Sequence, residues 1–146
     1  LDEMCAALGG RAAEKVIFNK ISTGALSDLE KVTKQARAMV TVYGLSDKIG
    51  NLTFYDSSGQ NEYGFTKPYS EQTAELIDKE ISDIIEEQYL RAIALLNDNK
   101  DKLIELAEVL LKDEVIFKDN LETIFGKRPY KTTKAEAEAE KKEEEE

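Results

Sequence analysis

The feature that most constrains the fold is an unbroken helical pattern that runs over residues 70–97. Its apolar residues recur at spacings of three and four, so one face of a helix would be apolar along its length. They are Ile77, Ile81, Ile84, Ile85, Tyr89, Ala92, Leu95 and Leu96. At 1.5 Å per residue this helix would be about 42 Å long. Because that is longer than a typical globular helix, it must pack along several shorter ones.

Four shorter segments share the helical pattern and are the expected partners of the long helix. They are residues 1–17, 25–43, 101–112 and 118–125. Gly9 and Gly10 interrupt the first segment, which indicates either a break in the helix or a close approach of another backbone. The predicted class is mainly α, a helical bundle with one long helix. Its one irregular excursion, at residues 45–69, contains a possible short hairpin around SSGQN.

Each later segment carries an apolar stripe that we expect to be buried. In the second segment the stripe is Leu29, Val32, Ala36, Met39, Val40 and Tyr43. In the last two segments it is Leu103, Leu106, Ala107, Leu110 and Leu111, and then Leu121, Ile124 and Phe125. Gly44 and Gly126 follow two of these helices as expected C-caps, and Ser70, after Pro68, is the expected N-cap of the long helix.

The charge distribution separates a folded domain from a tail. Residues 131–146 contain no large apolar residue and are rich in Glu, so we predict an acidic, disordered tail after one domain at residues 1–130. The 146-residue chain has 30 acidic and 20 basic residues, a net charge of −10. This excess of acid argues against nucleic acid and against a membrane surface as partners. No apolar run approaches the roughly 20 residues that span a bilayer.

Two residue types limit the chemistry of the chain. It contains no His, which excludes a self-contained His-based triad or a His-ligated metal site. Cys5 is its single cysteine, so no intrachain disulfide can form and a reducing compartment is expected. We interpret Cys5 as a small buried hydrophobe. The chain also opens in helical rhythm without an initiator Met, which we interpret as a piece of a longer protein.

The stretch ISTGALSDLEKVTKQARAMVTVYG, residues 21–44, leads from a Ser-Thr-Gly loop into the second helix. Its carboxylate Asp28 allows two interpretations. In the first, Ser27 is the N-cap and Glu30 its partner in a capping box. Asp28 is then the first helical residue, and its charge favours the positive end of the helix.

In the second interpretation Thr23 caps the helix, and Asp28 lies one turn inside it. Asp28 then shares a face with Val32 and Gln35 and points toward the packed side. A carboxylate there needs a partner such as a base, an Arg or a metal ion. The residues alone leave both interpretations open.

The acids of the long helix offer a second candidate for acid–base chemistry. Glu86 and Glu87 are adjacent carboxylates, but no other pattern suggests a pocket beside them. We interpret them, together with Asp78 and Asp83, as part of a solvated helix face.

Three stretches in order carry a resemblance to a known family. They are ALGGRAAEKVIF at 7–18, STGALSDLEKVTKQARAMVTVYGLSDKIG at 22–50 and KPYSEQTAELIDKEI at 67–81. Together they closely resemble the C-terminal peptidase domain of the FtsH-type ATP-dependent zinc metalloproteases. The resemblance covers about residues 1–130, including the long helix and the LLKDE segment at 110–114, and leaves out only the tail.

The resemblance implies a metal site that this chain holds only in part. In the family, two His of an H-E-x-x-H helix and one Asp of the S-T-G-A-x-x-D stretch bind zinc, and that Asp corresponds to Asp28. A carboxylate reduces the charge that two neutral imidazoles leave uncompensated, and the fourth position stays open for water. The general-base Glu also lies in H-E-x-x-H, so no catalytic residue is expected in this chain. ATP and Mg²⁺ would bind in a separate AAA-type ATPase module, so no cofactor-binding residue is expected here either.

The family resemblance also implies the setting of the parent protein. It would be a homo-hexamer that degrades misfolded or unassembled membrane proteins and short-lived soluble ones. The parent would be anchored in the bacterial inner membrane by N-terminal segments, with this domain in the cytoplasm; an organellar membrane is the alternative. The fragment alone would be soluble and inactive. A rival hypothesis from another class is a non-enzymatic helical interaction module or pseudo-protease.

Overall fold

The computed structural model describes residues 1–55 and 67–127. These residues form six α-helices and no strand, which confirms the mainly α class. The helices are α1 (Asp2–Ala7), α2 (Gly9–Phe18), α3 (Leu26–Thr41), α4 (Glu71–Asp98), α5 (Lys100–Asp113) and α6 (Lys118–Phe125). The proposed hairpin and the acidic tail fall mostly outside the described residues, and residues 51–55 contain no strand. No helix among the described residues is long and apolar enough to cross a membrane.

The chain divides into two compact units, Leu1–Asp98 and Asn99–Glu146. In the first unit α1, α2 and α3 all pack against the long helix α4. Its main core combines side chains from α1, α3 and α4 with Leu8, which lies between α1 and α2. The buried core residues are Met4, Leu8, Val32, Ala36, Val40, Ile77 and Ile81. The long helix is therefore the common scaffold of this unit, as its apolar stripe predicted.

The two adjacent glycines lie where the first helical segment divides. Helix α1 ends at Ala7 and α2 begins at Gly9, so the expected break is confirmed. A Cβ atom added at Gly9 or Gly10 would meet nothing within 4 Å. These glycines therefore do not serve a close backbone approach within the described residues.

Local capping residues set the ends of α3 and α4. Gly44 adopts a left-handed φ of 62°, and the chain reverses so that the Leu45 N–H donates to the Met39 carbonyl oxygen at 2.9 Å. Ser70 accepts the Thr73 N–H at 3.2 Å and caps α4 as predicted. Tyr43 was expected in the buried stripe, but α3 ends two residues before it and its side chain is 67% exposed.

An aromatic contact joins the two described ends of the segment between α3 and α4. The rings of Phe54 and Tyr69 meet edge to face, with centroids 4.9 Å apart. The Phe54 N–H also donates to the Thr41 carbonyl oxygen at 2.8 Å, which ties residue 54 to the end of α3.

The second unit, described by itself, contains α5 and α6 packed on each other. The expected buried stripe of α5 is wrong, because none of its residues is buried and Leu111 is 83% exposed. Of the stripe expected on α6, only Ile124 is buried. The Lys102 ammonium lies 5.9 Å from the ring centroid of Phe125, a cation–π contact between the two helices.

A buried carboxylate joins the turn after α3 to the middle of α4. Glu80 is only 7% exposed, and one of its oxygens accepts the Ser46 hydroxyl at 2.8 Å. Its other oxygen accepts a hydrogen bond from the Lys48 ammonium, which also lies 3.4 Å from Asp83. The Lys48 bond, with help from Ser46, lowers the pKa of Glu80 against the opposing effect of burial.

This carboxylate makes stability depend on pH on the acid side. Because the pKa of Glu80 is lowered on folding, its contribution is complete above its ordinary value of 4.5 and is lost as pH falls through the folded pKa. We expect Glu80→Gln to lower the unfolding free energy by about 1–3 kcal/mol at pH 7. The deficit should be smaller at an acid pH below the folded pKa of Glu80, where the protonated carboxyl resembles Gln.

Urea denaturation of the 146-residue chain at both pH values measures this deficit. Asp78→Asn is the matched control, because Asp78 is an exposed acid on the same helix. An equal deficit for Glu80→Gln at both pH values would contradict the proposed role of the Glu80 charge.

Candidate metal centre

Asp28 is the third residue of α3, whose N-cap is Ala25. Its side chain is half-buried, and it shares a helix face with Val32, which is fully buried. The carboxylate makes no hydrogen bond or ion pair with any residue in ranges 1–55 and 67–127. Asp28 therefore lies at the positive end of a helix, at the edge of the packed side.

Neither predicted cap of α3 is correct. Ala25 makes no side-chain cap bond, and the first helical bond runs from the Leu29 N–H to the Ala25 carbonyl oxygen at 2.9 Å. The helix thus begins two residues before the capping box at Ser27 requires. The Glu30 carboxylate does not reach back to a cap; it pairs with the Lys34 ammonium at 2.6 Å.

The loop before α3 is held by a carboxylate from α2. Glu14 accepts the Ser22 hydroxyl at 2.5 Å and the Ser22 backbone N–H at 3.0 Å, one on each oxygen. These two hydrogen bonds lower the pKa of Glu14. The Ser22 oxygen in turn accepts the Gly24 N–H at 3.3 Å. Sequence reasoning missed this contact, because nothing in the helical pattern of residues 1–17 distinguishes Glu14.

A second hydrogen bond orders the connection between α2 and α3, at residues 19–25. Asn19 ends α2 in a left-handed conformation, with φ of 50°, and its side chain accepts a hydrogen bond from Lys15 at 2.9 Å. The chain turns toward α3 between Asn19, which is bonded to Lys15, and Ser22, which is bonded to Glu14. Three large apolar side chains around this corner are exposed: Phe18, Ile21 and Leu26.

A polar cluster lies further along the face of α3 that carries Asp28. The Lys31 ammonium pairs with Glu3 of α1 at 2.7 Å. Gln35 is half-buried beside this pair, and its side-chain oxygen has no hydrogen-bond partner among the described residues. This cluster joins α1 to α3.

The donor chemistry of Asp28 fits a zinc ligand, although it provides only one of the ligands required. Carboxylate oxygens bind Zn²⁺ alongside His and Cys, and a catalytic site uses three protein ligands. Within the described ranges, no three His, Cys, Asp or Glu side chains come together as a metal-binding group. Glu86 and Glu87 are exposed on α4, which agrees with the solvated-face interpretation, and Cys5 is buried, as expected.

The helical fold agrees with the peptidase domain that the three ordered stretches at 7–18, 22–50 and 67–81 resemble. Comparison with known families identifies the family. A family model described as peptidase family M41 matches residues 1–124, and the chain belongs to this family.

Curated relatives agree with this assignment. The chain is 60% identical over 129 residues to the ATP-dependent zinc metalloprotease FtsH of Parabacteroides distasonis, covering 88% of this chain and 19% of the relative. It is 49% identical over 131 residues to the mitochondrial ATP-dependent zinc metalloprotease FTSH 3 of Arabidopsis thaliana, covering 90% and 16%. It is 41% identical over 130 residues to the mouse mitochondrial inner membrane m-AAA protease component AFG3L2, covering 89% and 16%. The chain therefore spans less than a fifth of the length of these relatives.

Proposed function

We propose that the complete protein is an ATP-dependent zinc metalloendopeptidase, of which this chain is the C-terminal helical part. The observation that carries the proposal is the family match over residues 1–124, together with relatives named as ATP-dependent zinc metalloproteases. The motif S-T-G-A-x-x-D around Asp28 supports the same assignment. We also propose the division into a domain at 1–130 and an acidic tail at 131–146.

In this proposal Asp28 supplies one of three protein ligands. Its place in the first turn of α3 favours an anionic side chain, and its oxygens are otherwise without a partner in the described residues. The two His ligands and the general-base Glu would come from an H-E-x-x-H helix elsewhere in the longer protein. When bound, zinc supplies an activated water for peptide hydrolysis. ATP and Mg²⁺ would bind in an ATPase module outside this chain.

The proposed partners follow from the family resemblance and from the names of the relatives. Substrates would be misfolded or unassembled membrane proteins and some short-lived soluble proteins. The complete protein would be a homo-hexamer anchored in a membrane by segments outside this chain. The name of the mouse relative, an inner-membrane protease component, supports a membrane setting. We favour the bacterial inner membrane over an organellar one, with this domain in the cytoplasm.

A second candidate function is a non-enzymatic helical interaction module or pseudo-protease. The absence of His from the whole chain is compatible with both candidates. The reading frame upstream of Leu1 separates the two candidates, since an intact H-E-x-x-H there supports the protease and its loss supports the alternative.

Activity assays on the complete protein and on the 146-residue chain test the proposal. We expect the complete protein to degrade unfolded casein with a requirement for both ATP and zinc. The chain alone should hold no catalytic zinc and cleave no casein, because it has no His ligand. Casein cleavage by the isolated chain in proportion to bound zinc would contradict the second expectation, and a complete protein inactive with both cofactors would contradict the first.

A further inference from the structure

We propose that Glu14 is a positioning residue for Asp28, acting through Ser22. Its two hydrogen bonds to Ser22 set where α3 begins, and the start of α3 sets where the Asp28 carboxylate lies. The part of this inference that concerns zinc rests on the proposed function. The part that concerns the start of α3 does not.

The start of α3 needs a support that its own sequence does not provide. A helix N-terminus leaves four N–H groups without helical partners, and a Ser, Thr, Asp or Asn side chain usually satisfies one of them. Here the N-cap is Ala25, which has no side-chain acceptor and makes no cap bond. Ser27 and Thr23, the two local candidates, do not cap this helix. The first turn would therefore fray unless a contact from outside α3 fixes it.

Glu14 provides that contact from a neighbouring helix. Both of its oxygens are used, one by the Ser22 hydroxyl at 2.5 Å and one by the Ser22 N–H at 3.0 Å. A pair of hydrogen bonds to one residue fixes its orientation as well as its distance. The Ser22 oxygen accepts the Gly24 N–H, so the constraint extends to the residue immediately before the N-cap Ala25.

Only two residues separate Ala25 from Asp28 in the first turn of α3, so a shift of Ser22 is transmitted to Asp28. A metal ligand must be held to within about half an ångström of its productive position. Partners that hydrogen-bond a metal ligand directly typically change metal affinity about 10- to 100-fold when removed, and we expect the lower end of that range for this indirect support. The contact is at the surface, with Ser22 exposed, so its loss should loosen the start of α3 without unfolding the core.

Hydrogen exchange followed by NMR on the 146-residue chain tests the structural half. Glu14→Ala should speed exchange of the Ser22 amide about tenfold or more. It should also speed exchange at Leu29, whose N–H forms the first bond of α3 and does not touch Glu14. Glu86→Ala, at an exposed acid of α4, is the matched control and should change neither amide. Faster exchange at Ser22 with an unchanged Leu29 amide would overturn the inference.

Zinc affinity of the complete protein, measured by chelator competition, tests the second half. Glu14→Ala should weaken zinc binding about tenfold and alter the visible spectrum of the Co²⁺-substituted protein. Glu14→Gln should restore most of the affinity, because its amide can accept the Ser22 N–H and donate to the Ser22 hydroxyl oxygen. If Glu14→Gln restores slow exchange at Leu29 but not zinc affinity, Glu14 acts by its charge, and the positioning role is wrong.

Two further variants separate a failure of the positioning role of Glu14 from a failure of Asp28 as a zinc ligand. If Glu14→Ala fails to fold, Ser22→Ala decides, since it removes both the hydroxyl bond to Glu14 and the Gly24 N–H bond to the Ser22 oxygen, and it should also speed exchange at Leu29. Asp28→Ala provides the reference for the metal. Unchanged zinc affinity in Asp28→Ala would reject the proposed ligand, while the exchange result at Leu29 would still decide the role of Glu14 at the start of α3.

Discussion

Replacing Asp28 with Ala in the complete protein should abolish proteolysis and weaken zinc binding, while ATP hydrolysis continues. The carboxylate would be one of three protein ligands, and two remaining ligands bind Zn²⁺ more weakly and leave its charge less compensated. We expect casein degradation to fall by at least about a hundredfold, since zinc held by this site would supply the activated water. The ATPase rate should change little, because the proposed ATPase module lies outside this chain. Zinc content, casein degradation and ATP hydrolysis are measured on the same preparation.

Two controls separate loss of a ligand from loss of structure. Asp78→Ala removes an exposed acid on α4 and should leave all three readouts unchanged. In the 146-residue chain, Asp28→Ala should cost only about 0.3–1 kcal/mol, the usual worth of an acid at a helix N-terminus. Proteolysis at the wild-type rate in Asp28→Ala would return Asp28 to a role in stabilising the start of α3 alone.

Truncating Ile77 should produce the largest loss of stability of any single change described here. Ile77 is 1% exposed and lies in the main core, on the long helix that α1, α2 and α3 share. Ile77→Ala should lower the unfolding free energy by about 2–5 kcal/mol, through lost burial and the cavity left behind. Urea denaturation followed by circular dichroism measures the change on the 146-residue chain.

The matched control lies on the same helix. Leu90 is 55% exposed, so Leu90→Ala removes an aliphatic side chain of similar size without opening a cavity, and should cost less than about 0.5 kcal/mol. Equal losses for the two variants would show that α4 is not packed as the structure describes.

The bounds of a helix could be predicted from the sequence where a capping residue and an unbroken apolar period determine them. The long helix was predicted at 70–97 and spans Glu71–Asp98, because Ser70 caps it and its apolar period is unbroken. The last helix was predicted at 118–125 and spans Lys118–Phe125. The predicted burial of the α5 stripe was wrong because local rules do not decide it. Periodicity shows which residues could be buried together, but not whether a partner covers them.

Only part of the candidate metal site could be predicted from the sequence. The pattern around Asp28 left two helix starts open, and the actual start at Ala25 matches neither. A carboxylate from another helix, Glu14, holds the loop instead, and no local rule reports a contact over eight residues of sequence. Sequence reasoning also missed Glu80, although it lies three residues after Ile77 on the apolar stripe of α4. A charged residue at such a position indicates a paired, buried acid.

The aromatic contact between Phe54 and Tyr69 has a consequence for how this domain tolerates change. The rings hold the flanks of residues 55–68 together, with 4.9 Å between their centroids. Each doubling of a closed loop costs only about 0.6 kcal/mol. Lengthening the chain between Phe54 and Tyr69 should therefore cost the folded bundle little, because the ring contact itself keeps the two flanks together.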